Sequence, residues 1–190
     1  MVQRGDAGKT TGIIMRIGAG YLGGRIFDSP HGHRTHPMGD RVKTALFNTL
    51  GDIKGLTVLD AFAGTGALGL EAISRGASRA VMVESEKGAY KTIVTNIEKL
   101  QVEEKTAVIH AFVYSWIRRT HETFDIVIAD PPYNDLQYKT LEKLPELVKL
   151  GGVLVYSVPP TARLVLPDSY ELLQRKSYGD ATLVFYRKLR

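Results

Sequence analysis

Residues 57–72 read Thr57-Val58-Leu59-Asp60-Ala61-Phe62-Ala63-Gly64-Thr65-Gly66-Ala67-Leu68-Gly69-Leu70-Glu71-Ala72. A short apolar run ends on an acid, passes through a glycine-rich turn and continues with helix-favouring residues. Strand, tight turn and helix in that order are the opening of a parallel α/β unit. Glycine permits the turn and lets backbone approach a ligand closely. The helix start behind it offers unpaired amides to a carboxylate or phosphate.

Outward from this stretch the alternation repeats. Apolar runs at 57–61, 80–84, 106–110, 124–129 and 153–158 read as strands. Helical patterns occupy 67–75, 86–100, 114–119 and 136–150. Pro145 should kink or divide the last of these, and Gly151-Gly152 should end it. Strands at 170–176 and 182–189, joined by Tyr178-Gly179-Asp180, have no helix between them. The expected fold is therefore α/β and doubly wound: a mostly parallel seven-stranded sheet with an antiparallel edge hairpin. Ligands of such sheets bind outside the carboxyl ends of the strands. Upstream, 40–50 reads as a helix with Asp40 as its cap and Val42, Leu46, Phe47 and Leu50 on one face. Before it, 15–38 is rich in Gly, His, Arg and Pro and reads as an extended arm with short strands near 15–19 and 25–27.

Composition narrows the function classes. The chain has 190 residues, 44% hydrophobic and 24% charged, and no cysteine. Disulfides, thiolate zinc sites and a cysteine nucleophile are excluded. No apolar run approaches the roughly 20 residues of a membrane helix, and the first 14 lack a signal peptide's apolar stretch. A cytoplasmic protein is expected. The net charge of +5 is uneven: +4 over 1–56, −2 over 57–160 and +3 over 161–190. Basic ends favour phosphate backbones.

The acids at the strand ends discriminate between ligands. Gly64, Gly66 and Gly69 match the spacing of a dinucleotide loop, so the glycines alone do not decide. Asp60, before the turn, would repel a pyrophosphate but can hold a cationic amine. Glu84 ends the next strand, where an acid can take both hydroxyls of a ribose. S-adenosylmethionine has an amino acid end and a ribose, and satisfies both. Phe62 lies in the same loop. His110-Ala111-Phe112 ends the third strand, where a backbone amide of Ala111 or Phe112 can reach adenine. Phe112 either packs on the base or belongs to the core.

Asp130-Pro131-Pro132-Tyr133 directly follows the fourth strand. An exocyclic base amine is a poor nucleophile because its lone pair is delocalised into the ring. A carboxylate from Asp130 and a carbonyl from Pro131 can accept its two N–H bonds and aim that lone pair. Pro131 and Pro132 stiffen the loop, and Tyr133 can stack on the unstacked base.

With these residues in order, the chain resembles class I amino-methyltransferases, and more narrowly the RsmD family of bacterial 16S rRNA (guanine-N2)-methyltransferases. The likeness runs from Met15 to Leu189. It includes Met15-Arg16-Ile17-Gly18-Ala19-Gly20 with Gly24-Arg25, Asp40 to Asn48, Leu59 to Ala72, Ser74-Arg75-Gly76-Ala77 and Tyr178-Gly179-Asp180. The resemblance implies a Rossmann-like class I methyltransferase domain with an N-terminal β-hairpin arm. It also implies S-adenosylmethionine as donor and a guanine of small-subunit rRNA, met in an assembling subunit, as target. By motif it assigns Asp60, Gly64, Gly66 and Glu84 to the cofactor and Asp130 to Tyr133 to catalysis. The sequence departs from the family at His36-Pro37-Met38-Gly39-Asp40 and at Val42-Lys43-Thr44, which are expected near the target.

The chain then divides into a tail, 1–14; an RNA-binding arm, 15–39, in which Arg16, Arg25 and Arg34 join Arg41 against RNA; and a catalytic domain, 40–190. His31, His33 and His36 fit an RNA-facing arm better than a metal site, and no metal is expected. A monomer is expected. Two alternatives remain: methylation of adenine-N6 or cytosine-N4 in DNA, whose enzymes share the Asp-Pro-Pro-Tyr motif, and a non-catalytic RNA-binding assembly factor.

Overall fold

The computed structural model describes residues 14–30 and 38–190. The elements are β1 (Ile14–Arg16), β2 (Ile26–Asp28), α1 (Asp40–Leu50), β3 (Thr57–Asp60), α2 (Ala67–Ser74), β4 (Arg79–Glu84) and α3 (Lys87–Leu100). They continue through β5 (Thr106–His110), α4 (Val113–Ile117), β6 (Phe124–Ala129), α5 (Tyr138–Leu141), β7 (Val148–Val158), β8 (Tyr170–Tyr178) and β9 (Ala181–Lys188). Seven strands form one sheet in the order β5-β4-β3-β6-β7-β9-β8. The first five are parallel, and β9 runs antiparallel to both β7 and β8. This is the predicted α/β, Rossmann-like architecture.

The strand order reverses between β3 and β6. The chain steps outward through β4 and β5, then returns to place β6 on the other side of β3. In sheets of this kind ligands bind outside the carboxyl ends of the strands flanking the reversal, here β3 and β6. The strands are apolar on both faces, as burial on both sides demands. Val58, Ala80, Met82 and Ile128 face a core shared with the buried residues of α1, α2 and α3. Leu59, Val81, Val83 and Val127 face a second core with α4 and α5.

The β1–β2 hairpin forms as expected but is no free arm. Met15, Ile17, Leu22 and Phe27 are buried in the first core. Polar groups on two helices hold the hairpin. Glu71 accepts the Gly18 and Ala19 amides at 2.7 and 3.1 Å. Ser74 Oγ accepts the Leu22 amide at 3.0 Å. The Asn96 side chain accepts from the Asp28 amide and donates to its carbonyl, at 2.9 and 2.8 Å. Ile14, assigned to the tail, is the first residue of β1.

Three local expectations change. Asp40 is the first helical residue rather than the cap, a position held by Gly39, and its carboxylate pairs with Lys43 at 3.2 Å. Lys43, expected near the target, is buried, 3.6 Å from Glu71 and donating to the Arg16 carbonyl at 2.9 Å. The helix expected over 136–150, kinked or divided at Pro145, is divided into α5 and a 3-10 turn over Leu144–Leu147, and its last residues belong to β7. Pro145 lacks the amide a continuous helix would need. Val148 already pairs with Phe124, whereas Ile126 pairs with Val153. Gly151 and Gly152 therefore lie within the irregularity that restores register, not at the end of a helix. A Cβ on Gly152 would sit 2.7 Å from the Asp125 carbonyl oxygen.

Candidate active site

Asp60 is the last residue of β3 and is fully buried. Its Oδ2 accepts the Gly69 amide at 3.0 Å, so it anchors the first turn of α2 from the neighbouring strand. Its Oδ1 has no partner among the described residues. Burial pushes the carboxyl up to about 7; the Gly69 amide opposes this, and the charges of Asp130 and Glu84 add to it. A buried acceptor atom with nothing to accept is costly, and a cation delivered there removes the cost. The structural and ligand-binding readings of Asp60 therefore coexist on two oxygens.

Glu84, ending β4, takes the Gly64 amide on Oε2 at 2.7 Å and the Glu86 amide on Oε1 at 2.6 Å. It shapes the glycine loop, and each oxygen retains a lone pair. Gly64 and Gly66 have positive φ, 53° and 76°, which only glycine adopts without strain. Gly69 lies against β4: a Cβ there would be 2.6 Å from the Met82 side chain. Phe62 is partly buried against the second core.

At the end of β5 the Ala111 amide is already bonded to the Glu84 carbonyl at 3.0 Å. Of the two amides considered for adenine, that of Phe112 is the one left. The Phe112 side chain is 70% exposed, which removes the core reading. The sequence did not single out its neighbour His110, whose ring stacks on Tyr90 at 4.9 Å and contacts the Ser85 carbonyl at 3.1 Å.

Asp130 lies just past the end of β6, two residues beyond Ile128, the partner of Asp60, and its charge acts on Asp60. Burial raises its carboxyl to about 6, and a hydrogen bond from Ser157 opposes the rise. Pro131 is buried and Pro132 exposed. The Pro132 carbonyl accepts the Asp135 amide at 2.9 Å and closes the turn, leaving the Pro131 carbonyl unspent. Tyr133 is partly buried, its hydroxyl 3.0 Å from Ser157 Oγ. Ser157 was absent from the candidate set. Its place at the carboxyl end of a strand was the available signal.

The basic residues separate. Arg16 and Arg41 are exposed. The Arg25 guanidinium donates to the Lys99 and Leu100 carbonyls at 3.1 and 3.3 Å and so caps α3, a favourable place for a cation. Arg34, His31, His33, His36 and residues 1–13 lie outside the described residues.

The chain is similar in sequence and fold to known proteins. Residues 15–187 match a family described as conserved hypothetical protein 95. The ribosomal RNA small subunit methyltransferase D of Haemophilus influenzae is 31% identical over 180 residues, covering 91% of this chain and 92% of that protein. The protein of the same name from Escherichia coli K12 is 29% identical, covering 92% and 90%. The solved structure of Escherichia coli yhhF superposes with a TM-score of 0.84 at 26% identity, covering 93% of this chain and 99% of that one.

Proposed function

The chain belongs to the conserved hypothetical protein 95 family, and on that premise we propose that it transfers the methyl group of S-adenosylmethionine to the exocyclic N2 amine of a guanine in small-subunit rRNA. The observation that carries this reading is the buried Asp60 carboxylate at the end of β3, one oxygen of which has no partner among the described residues, with the charge of Asp130, just after β6, acting on it. The name shared by the relatives, ribosomal RNA small subunit methyltransferase D, supports the rRNA substrate.

The residues present fit the cofactor. Asp60 Oδ1 would take the ammonium, Glu84 the ribose hydroxyls and Phe112 the adenine. The cofactor supplies an electrophilic methyl group on a sulfonium. The rest is positioning by the chain. The Asp130 carboxylate and the Pro131 carbonyl accept the two N–H bonds of the amine and turn its lone pair toward the methyl. Tyr133 stacks on the base. With its carboxyl near 6, Asp130 is ionised at neutral pH and acts as an acceptor only. Holding reactants in line accounts for much of such a rate gain. No general base is required, because the methylated nitrogen sheds its proton once its pKa has collapsed.

The test incubates the full chain and isotopically labelled cofactor with 16S rRNA, with small ribosomal subunits and with duplex DNA, followed by mass analysis of nucleosides. N2-methylguanine from the ribosomal substrates is expected. Asp130→Ala is expected to lower turnover by at least about 100-fold while cofactor affinity, read by calorimetry, is retained. Label in N6-methyladenine or N4-methylcytosine of DNA would overturn the substrate, and full turnover by Asp130→Ala the mechanism.

A further inference from the structure

Ser157 lies on β7 beside the catalytic loop and is 1% exposed. The last β6–β7 pair is Ala129 with Tyr156. One step further along both strands brings Ser157 level with Asp130. Its Oγ is 3.0 Å from the Tyr133 hydroxyl and within hydrogen-bonding reach of the Asp130 carboxylate. A carboxylate only accepts and a serine hydroxyl has one proton. With Asp130 ionised, the direction follows: Ser157 O–H donates to Asp130, and Tyr133 O–H donates to Ser157.

We propose that Ser157 is a positioning residue for methyl transfer, locking the Asp130 carboxylate and the Tyr133 ring into one ordered row that fixes where the acceptor amine is held. This rests on the reading of Asp130 and Tyr133 given above. The bond from Ser157 occupies one carboxylate lone pair and leaves the others to the amine. It restrains the rotamer of Asp130, whose backbone is already stiffened by the following prolines. At the other end it ties the Tyr133 ring, on a partly exposed loop, to a buried strand. A bond to the ionised form also favours that form, so the hydroxyl works against the burial of Asp130. A serine retained only to satisfy a buried hydroxyl would have none of these consequences for the reaction.

The test compares Ser157→Ala and Ser157→Thr with the wild type in rRNA methylation from pH 5 to 9. Ser157→Ala is expected to lower kcat by at least about tenfold, the scale of a lost hydrogen bond to a charged group. The acidic limb of kcat/KM should move to higher pH, with cofactor affinity by calorimetry unchanged. Ser157→Thr, which keeps the hydroxyl, should restore the wild-type limb. Should Ser157→Ala not fold, Tyr133→Phe cuts the row at its outer end without entering the core and should lower kcat in the same sense. A Ser157→Ala enzyme with the wild-type limb and kcat, altered only in melting temperature, would overturn the proposal. So would Tyr133→Phe with wild-type kcat. If the wild type itself transfers no methyl to rRNA, the functional reading fails, and that outcome is distinguishable because these comparisons require an active wild type.

Discussion

Asp60 shows how one side chain serves fold and chemistry together. Its Oδ2 anchors the start of α2 through Gly69, and its Oδ1 is buried without a partner among the described residues. The carboxyl is raised from 3.8 to about 7 by burial. The folded cofactor-free protein therefore binds this proton more tightly than the unfolded chain. Stability is gained as pH falls through about 7 toward the unfolded value and is lost above it. Asp60→Asn removes the buried charge at nearly constant shape. At pH 8 and without cofactor it is expected to be more stable than wild type by on the order of 2–4 kcal/mol, an advantage that shrinks by pH 5. Its cofactor affinity should fall at least about tenfold. Thermal melting at the two pH values and calorimetry check both halves. A wild type whose melting temperature relative to the variant does not change with pH would contradict the assignment. Asp60, Glu84 and Asp130 were all legible from sequence because each terminates a recognisable apolar run. Ser157 was not singled out, because its importance comes from the neighbouring strand.

Among the elements, the β1–β2 hairpin forms as expected, and its docking on the helices is what the sequence did not indicate. A stretch rich in Gly and Arg reads as an extended arm, since neither composition nor its short apolar runs indicates a docking surface. In the fold it is bound by Glu71, Ser74 and Asn96, three polar residues buried on α2 and α3. Gly20, at its turn, has φ +83°, and a Cβ there would lie 1.8 Å from the Ser74 carbonyl oxygen. Gly20→Ala is expected to destabilise the protein by roughly 2–4 kcal/mol through backbone strain and displacement of the hairpin. Urea denaturation measures this, and a loss below about 0.5 kcal/mol, the usual effect of a surface change, would show the turn to be free of α2. The last residues of the segment 136–150 differ from expectation for another reason. Apolar residues at helical spacing also suit a short helix, a proline-led turn and a strand in series, and the strand is chosen by Phe124 pairing with Val148.

For the whole molecule, the buried Lys43–Glu71 pair joins the hairpin, α1 and α2. Glu71 accepts from Gly18, Ala19 and Arg75, with Lys43 at 3.6 Å; Lys43 in turn reaches Asp40 and the Arg16 carbonyl. Breaking a buried pair from one side leaves an uncompensated charge. Glu71→Ala is expected to cost about 3–5 kcal/mol, and Lys43→Met in the same chain should recover part of the loss because it removes the stranded cation. Denaturation of the single and double variants forms the cycle that checks this. Additive losses would show that the two charges do not act on one another. Because α2 also carries the glycine loop at its start, this pair links the anchoring of the hairpin to the cofactor side of the sheet.

The sequence by itself determined the alternation of strands and helices, the antiparallel edge hairpin, the glycine turn and the acids at three strand ends. These depend on period, turn chemistry and position along one element, which are local properties of the chain. Only the tertiary structure decided that the charge of Asp130 acts on Asp60, that Ser157 lies against Tyr133, that Arg25 caps α3, and that Lys43 is buried beside Glu71. Each of these joins residues at least 24 positions apart. They meet through strand order and the docking of helices on the sheet, which the spacing within any one segment does not encode.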